Sequence, residues 1–230
     1  MVLAGYNEES QIPIAIEETV RVLEECFKSY ELILVDDASS DCSLQIMLEY
    51  QKTNPNIKVL YNEVNLNFGT SVLRGLFSAT GDYVMYNAMD LPLSPEEIPN
   101  IFSEIADHAL VVLERVGYAT TKWRKITSLV NRLLLKILFP KLTTGTPILN
   151  YIQIYRRDIL QEIKPITRGP IFVWVELVFR AKLKNYKWMN RPAPCSVQNV
   201  RKGAFGKPHD IIWGIYEMLR FRIKLWMRDI

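Results

Sequence analysis

Three short stretches hold the side chains best suited to chemistry: Tyr6-Asn7-Glu8, Asp36-Asp37 and Asn87-Ala88-Met89-Asp90. Each follows an apolar run of buried-strand length, at residues 1–5, 31–35 and 83–86. Carboxylates gathered at one sheet edge repel unless a cation, a hydroxyl-rich ligand or backbone N–H groups offset their charge. Asp and Glu accept from ribose hydroxyls or from the ring N–H of a base, and hard oxygens hold Mg²⁺ bridged to phosphates. A nucleoside diphosphate with a metal is the ligand that uses all three stretches. Asp90 is the pivot: an acid at the carboxyl end of a strand, ahead of the helix-start signal Ser94-Pro95-Glu96-Glu97, lies where open α/β sheets bind ligands.

The elements that must position these residues alternate. After the first strand, Ile16, Val20, Leu23 and Phe27 form one helical stripe. A second strand at 31–35 precedes a helix at 43–51, a third at 57–61 precedes a helix at 70–79, and 83–86 is the fourth strand. The order β-α-β-α-β-α-β predicts a mostly parallel sheet with helices on both faces. A helix at 95–106 and a strand at 109–113 continue it. The character then changes. Residues 122–141 carry six Lys or Arg and no acid, with Ile126, Leu129, Val130, Leu133, Leu134, Ile137 and Leu138 at helical spacing. This basic amphipathic helix either packs its Leu/Ile stripe on the domain or lies on an anionic bilayer. A strand at 151–155, a helix at 171–183 holding Glu176, and a strand at 186–190 follow. A glycine-containing basic segment at 200–207 leads to a closing helix at 211–230, where Arg220, Lys224 and Arg228 form a ridge beside Trp213, Phe221 and Trp226.

Composition narrows the classes. A 230-residue chain with 49% apolar and 23% charged residues is an ordinary globular α/β domain. A net charge of +3 gives no footprint for nucleic acid. Cys26, Cys42 and Cys195 are scattered and odd in number, which fits a reducing compartment and no zinc site. With only His108 and His209, a histidine metal centre or Ser-His-Asp triad is disfavoured. No run of 18 uncharged apolar residues occurs, and with the first strand opening almost at residue 1 no signal peptide is expected, although so abrupt a start also fits a longer natural N-terminus. The absence of a Gly-rich phosphate loop disfavours kinases, dehydrogenases and nucleotidyltransferases.

The ordered set of motifs resembles the inverting GT-A glycosyltransferases of family 2, nearest the dolichyl- and polyprenyl-phosphate sugar transferases. Tyr6-Asn7-Glu8-Glu9 is similar to the family's YNEE, and the stretch from Val35 to Asp41 to its VDD-x-S-x-D. Asn67-Phe68-Gly69 with Gly75, Ala79, Gly81 and Asp82 resembles N-x-G…G…A-x-G-D. Tyr155-Arg156-Arg157, Gly169-Pro170, Glu176-Leu177 and Arg180-Ala181 resemble its later segments, so the likeness runs from about residue 2 to 205. It implies that Tyr6 and Glu8 flank the nucleoside, that Asp37 accepts from base or ribose with Asp36 supporting the turn, and that Asn67 and Gly69 shape the donor pocket. Asp90 is implied as the second acid of D-x-D, holding Mg²⁺ or Mn²⁺ on the donor diphosphate.

The sequence departs from this pattern at Ala88, where D-x-D has its first acid, and at Pro92, where a further polar ligand is common. Either Asp90 with Arg and Lys holds the diphosphate around a loosely bound metal, or catalysis has been lost and the chain is a nucleotide-sugar-binding scaffold. An active member displaces the leaving diphosphate directly at the anomeric carbon, which needs positive charge on the leaving group. Glu176 is the candidate base for a hydroxyl acceptor, a lipid phosphate needing none. Arg201 and Lys202 are candidates to clamp a phosphate. The resulting expectation is a transferase domain over 1–207 and a basic amphipathic helix over 208–230. It would be cytoplasmic, at the inner membrane face, serving a polyprenyl phosphate, glycan or glycolipid acceptor in cell-envelope assembly.

Overall fold

A computed structural model describes residues 1–116, 122–145, 152–169, 172–195 and 208–227. Among them the chain runs β1 (Val2–Gly5), α1 (Ile12–Cys26), β2 (Leu32–Asp36), α2 (Ser43–Thr53), β3 (Ile57–Tyr61), α3 (Phe68–Ser78) and β4 (Tyr83–Ala88). It continues through α4 (Glu97–Glu104), β5 (Leu110–Val116), α5 (Lys122–Leu138), α6 (Pro140–Thr143), β6 (Gln153–Arg156) and α7 (Arg157–Glu162). Helix α8 (Val173–Leu183), β7 (Trp188–Pro194) and α9 (Pro208–Trp226) complete it.

Side-chain alternation divides the strands between two cores. Leu3, Leu32, Leu34 and Met85 face one side, under Ile12 and Ile16 of α1, Met47 of α2 and Ile98 and Ile101 of α4. Val2, Ala4, Ile33, Val35, Val84 and Tyr86 face the other, under Val72 and Leu76 of α3, Ile159 of α7 and Trp174 and Leu177 of α8. Strands apolar on both faces need helices on both, which explains their unbroken hydrophobic runs.

The seven-stranded sheet has the order β3-β2-β1-β4-β6-β5-β7. β1 pairs in parallel with both β2 and β4. The chain therefore steps outward from β1 to β3, then returns across the sheet through α3 to reach β4. Gly75 permits this crossover, since a Cβ there would overlap Val2 Cγ1. The order reverses between β1 and β4, and the crevice at their carboxyl ends is the topological switch point. β6 runs antiparallel between β4 and β5, the departure from an all-parallel sheet. β7 extends through Pro192 to Pro194, which its place at the sheet edge allows.

Two expectations change. Helix α4 starts at Glu97 rather than at Pro95, and Glu96 occupies its N-cap without a side-chain bond. Leu93 is bridged to Cys195 and its carbonyl accepts from Asn87 Nδ2, so the chain stays extended there and a turn precedes the helix. In α5, Leu135 is buried, and Phe139 just beyond it joins the same third core. Of the expected stripe, Leu138 packs against that core and Leu134 is half-buried, whereas Ile126, Leu129, Val130, Leu133 and Ile137 lie on the surface, 51% to 68% exposed. That third core joins these residues to Phe172, Val175 and Phe179 and to Met218 and Phe221 of α9. Helix α9 buries only a narrow strip, at Gly214, Glu217, Met218 and Phe221. Among the described residues no helix is long and apolar enough to cross a membrane, and the three cysteines are free thiols.

Candidate functional site

The loops that follow β1 and β2 are knitted together by side-chain bonds. Asn7 N donates to Ser39 Oγ (2.9 Å), Ser40 N to Asn7 Oδ1 (2.8 Å) and Glu8 N to Ser43 Oγ (2.9 Å). Glu9 N reaches Asp41 Oδ2 at 3.2 Å, and Glu9 Oε2 accepts from Cys42 N at 3.0 Å. Asn7 (φ 54°) and Ala38 (φ 63°) take left-handed backbone to make these turns, a conformation Asn tolerates and Ala seldom adopts. Tyr6, 46% exposed, stands on the rim.

Asp36 and Asp37 are both buried, at 1% and 4% exposure, but are used differently. Asp36 Oδ2 accepts from Ser39 N at 3.0 Å, closing the turn, while its Oδ1 is buried with no hydrogen-bond partner among the described residues. Asp37 Oδ1 accepts from Asn62 Nδ2 and from Leu66 N, both at 2.8 Å, which leaves Oδ2 for a ligand. Asn62 is a residue the sequence reading missed. It is buried, and it joins Asp37 to Ser71 Oγ (2.8 Å) and to Arg74 Nη1 (2.6 Å). An open groove of about 510 Å³ lined by Tyr61, Asn62, Val64, Leu66 and Arg74 adjoins it on the β3 side. Farther along, Asn67 (φ 74°) caps α3 by accepting from Thr70 N at 3.2 Å, and Gly69 is buried in the first turn.

At the end of β4, Asn87 is fully buried and its Nδ2 donates to Leu93 O at 2.7 Å, so its amide is turned to the chain rather than to a ligand beside Asp90. Met89 is also buried and packs across Gly5, where a Cβ would lie 2.8 Å from Met89 Cγ and 3.4 Å from Glu8 Cγ. This close approach ties the Asp90 turn to the β1 loop. Asp90 itself is exposed. No group of three His, Cys, Asp or Glu that could hold a metal occurs among the described residues. Mg²⁺ is commonly held by one or two carboxylates together with substrate phosphates. Asp90 therefore fits an ion shared with a diphosphate, and does not fit one held by protein alone.

Glu176 is fully buried in α8. Its Oε1 accepts from Ile166 N (2.8 Å) and Arg180 Nε (2.6 Å), and its Oε2 from Thr167 N (2.9 Å) and the Thr167 hydroxyl. A carboxylate offers about four lone-pair sites, and all are engaged here. Glu217 of α9, 3% exposed, completes the pattern: its Oε1 accepts from Arg168 N (3.0 Å) and Gly169 N (2.8 Å). Four successive amides, 166 to 169, are thus held by two buried acids. Burial pushes the Glu217 carboxyl above the ordinary glutamate range, with the nearby Glu176 charge adding to the effect. The same segment reaches the first turn of α3, because Thr70 Oγ1 donates to Arg168 O at 3.2 Å. Arg180 also stacks over Phe221, 5.7 Å from the ring centroid. Arg156 pairs with Asp158 at the surface (2.7 Å). Pro170, Arg201, Lys202 and Arg228 lie outside the described residues.

A family model described as glycosyl transferase family 2 matches residues 2–164. The undecaprenyl-phosphate 4-deoxy-4-formamido-L-arabinose transferase of Pectobacterium carotovorum subsp. carotovorum (strain PC1) is 30% identical over 166 residues, 70% of this chain and 49% of that protein. The enzyme of the same name from Photorhabdus laumondii subsp. laumondii is 29% identical over 168 residues, 70% of this chain and 50% of that one. The chain spans about half the length of the curated relatives it matches. Among solved structures, glucosyl-3-phosphoglycerate synthase from Mycobacterium tuberculosis, in complex with Mn²⁺, uridine diphosphate and phosphoglyceric acid, superposes with a TM-score of 0.69. It is 21% identical, and the match covers 96% of this chain and 77% of that one. TarS residues 1–349 of S. aureus, in complex with UDP-GlcNAc, gives a TM-score of 0.64 at 20% identity, covering 96% and 64%.

Proposed function

This chain belongs to glycosyl transferase family 2 and has the GT-A fold of its structural neighbours, and on that premise we propose that it moves a sugar from a nucleoside-diphosphate donor to a membrane-associated acceptor. The acceptor we favour is a polyprenyl phosphate, with a cell-surface glycan or glycolipid second. The observation that carries this reading is the Asp37 carboxylate, fixed through Oδ1 by Asn62 and Leu66 with Oδ2 left over, at the carboxyl edge of the sheet that also presents Tyr6, Glu8 and Asp90.

In this reading Asp37 Oδ2 accepts from the base or ribose, Tyr6 and Glu8 flank the nucleoside, and Asp36 keeps the turn closed. Asn67 and Gly69 shape the floor, and Asp90 stands beside the diphosphate. A divalent ion bound there with the diphosphate would neutralise its developing charge. Arg201 and Lys202 are candidates to add positive charge to the leaving group. Displacement occurs with inversion, and a phosphate acceptor attacks without a base. Glu176 is assigned to holding residues 166 and 167, because its lone pairs are already engaged. The exposed apolar residues of α5, and Ile212, Leu219, Ile223 and Trp226 of α9, lie among the exposed basic residues Lys125, Arg132, Lys136 and Arg220. That mixture suits peripheral docking on an anionic bilayer, where each basic residue contributes about 1 kcal/mol.

Ala88 favours a second reading, a donor-binding protein without turnover. Calorimetric titration of UDP, GDP, CDP and dTDP, with Mn²⁺ or Mg²⁺ and again with EDTA, tests both. Binding of one nucleotide that collapses in EDTA supports the transferase and names the donor to assay. Binding without turnover on any acceptor supports the second reading. Failure of all four nucleotides to bind overturns both.

A further inference from the structure

Arg168 is anchored at its backbone from two sides while its side chain is left free. Its N–H is held by Glu217 of α9 (3.0 Å) and its carbonyl by the Thr70 hydroxyl of α3 (3.2 Å). The side chain is exposed, and its guanidinium forms no ion pair among the described residues. Arg132, Arg157, Arg220 and Arg222 are also exposed without an ion pair among the described residues, so what sets Arg168 apart is the anchoring of its backbone beside α9. The next residue, Gly169, touches α9 so closely that a Cβ would overlap Glu217 Oε2 and lie 2.8 Å from Trp213 Cδ1. Trp213 is 47% exposed and opens onto the apolar surface formed with Tyr216 and Ile212. A cation on an anchored backbone thus stands where the first turn of α3, next to the Asp37 loop, meets an exposed apolar helix face.

We propose that Arg168 is a specificity-determining residue that binds the phosphate of an amphiphilic acceptor, whose apolar chain lies along α9 beside Trp213. This rests on the transferase reading above and names the group that reads the acceptor. A guanidinium matches phosphate oxygens two at a time, and anchoring the backbone on both sides lowers the ordering cost of that contact. Neither element alone selects such a ligand. The cation suits any phosphate and the indole any apolar chain, so their adjacency is what distinguishes a lipid phosphate from a free one.

The test is calorimetric, on the full chain, with farnesyl phosphate, farnesol and inorganic phosphate as probes and the donor nucleotide as control. Expected is binding of farnesyl phosphate well above either fragment. Arg168→Gln should weaken it by about tenfold to a hundredfold, the loss of a charge-assisted contact, with R168K falling between. Nucleotide affinity should stay unchanged in both variants. Gly169→Ala should also weaken farnesyl phosphate although the guanidinium remains, because the added methyl displaces Trp213 or Glu217. Unchanged farnesyl phosphate binding in R168Q overturns the proposal. So does equal weakening of farnesol, or inorganic phosphate binding as tightly as the lipid. A protein that binds nucleotide but no farnesyl phosphate overturns this inference alone; one that binds neither overturns the transferase reading with it.

Discussion

Glu176 and Glu217 lie on different helices and share one stretch of backbone: Glu176 takes the amides of residues 166 and 167, and Glu217 those of 168 and 169. Among the described residues only Glu176 has a cationic partner, Arg180, at 2.6 Å. Where both carboxyls are ionised, one guanidinium leaves them a net negative charge in the interior. The four N–H groups partly offset it, and the segment they belong to is fixed as a result.

Glu176→Ala should therefore act on stability. It strands Ile166 N, Thr167 N and Arg180, and breaking a buried pair in this way costs about 3–5 kcal/mol. Chemical denaturation would register the loss directly. A general base would behave otherwise: Glu176→Gln would cut kcat severely while leaving the unfolding midpoint near that of the wild type.

The Glu217 carboxyl is raised above its ordinary 4.5, chiefly by burial. A group shifted in that direction contributes stability that is complete below the unfolded value and is lost as pH rises through the folded value. Urea unfolding followed from pH 4.5 toward neutrality should show the wild type losing stability relative to Glu217→Gln. Parallel curves for the two proteins would contradict the burial argument.

Supplying an acid at position 88 gives a gain-of-function test. Ala88→Asp places a second carboxylate two residues before Asp90, and divalent-ion-dependent nucleotide affinity should rise about tenfold, a step of about 1.4 kcal/mol. Asp90→Asn should remove the EDTA sensitivity altogether. If D90N binds nucleotide as the wild type does, with and without chelator, Asp90 is not a metal ligand.

Ile223→Ser combined with Trp226→Ser changes only exposed positions of α9. Sedimentation with phosphatidylglycerol vesicles should show at least tenfold weaker partitioning, with thermal unfolding unchanged. Raising the salt should weaken the wild type as well, since part of the attraction comes from the basic residues of α5 and α9 and is screened. Equal partitioning of variant and wild type would remove the bilayer from the account.

The first half of the sheet was legible because its apolar runs are short and each stops abruptly at polar loop residues, as at Asp36 and Asn87. The direction of β6 was not, since four residues carry no mark of parallel or antiparallel pairing. The start of α4 was misread because Ser94 and Pro95 fit a cap perfectly well, while the bridge from Leu93 to Cys195 that delays the helix is distant in sequence. In α5 the spacing correctly shows an apolar stripe but says nothing of what covers it. Glu217 gave no signal at all: an acid among Trp, Tyr and Arg on an amphipathic helix looks solvated until its tertiary partners are known. Asn62 was hidden in the same way, as one polar residue just past a strand.

The placement of β6 also dictates how the chain can assemble during synthesis. β4 finds one neighbour, β1, already made, but its other edge stays open until residues 153 to 156 emerge, long after β4 itself. β5 waits still longer, because both of its neighbours, β6 and β7, follow it. The parallel block of β1 to β4 is thus the natural early folding unit, and it carries an unprotected hydrophobic edge through the interval. Slow translation or truncation between residues 90 and 150 would expose that edge, and aggregation would be the first symptom, well before any loss of ligand affinity could be measured.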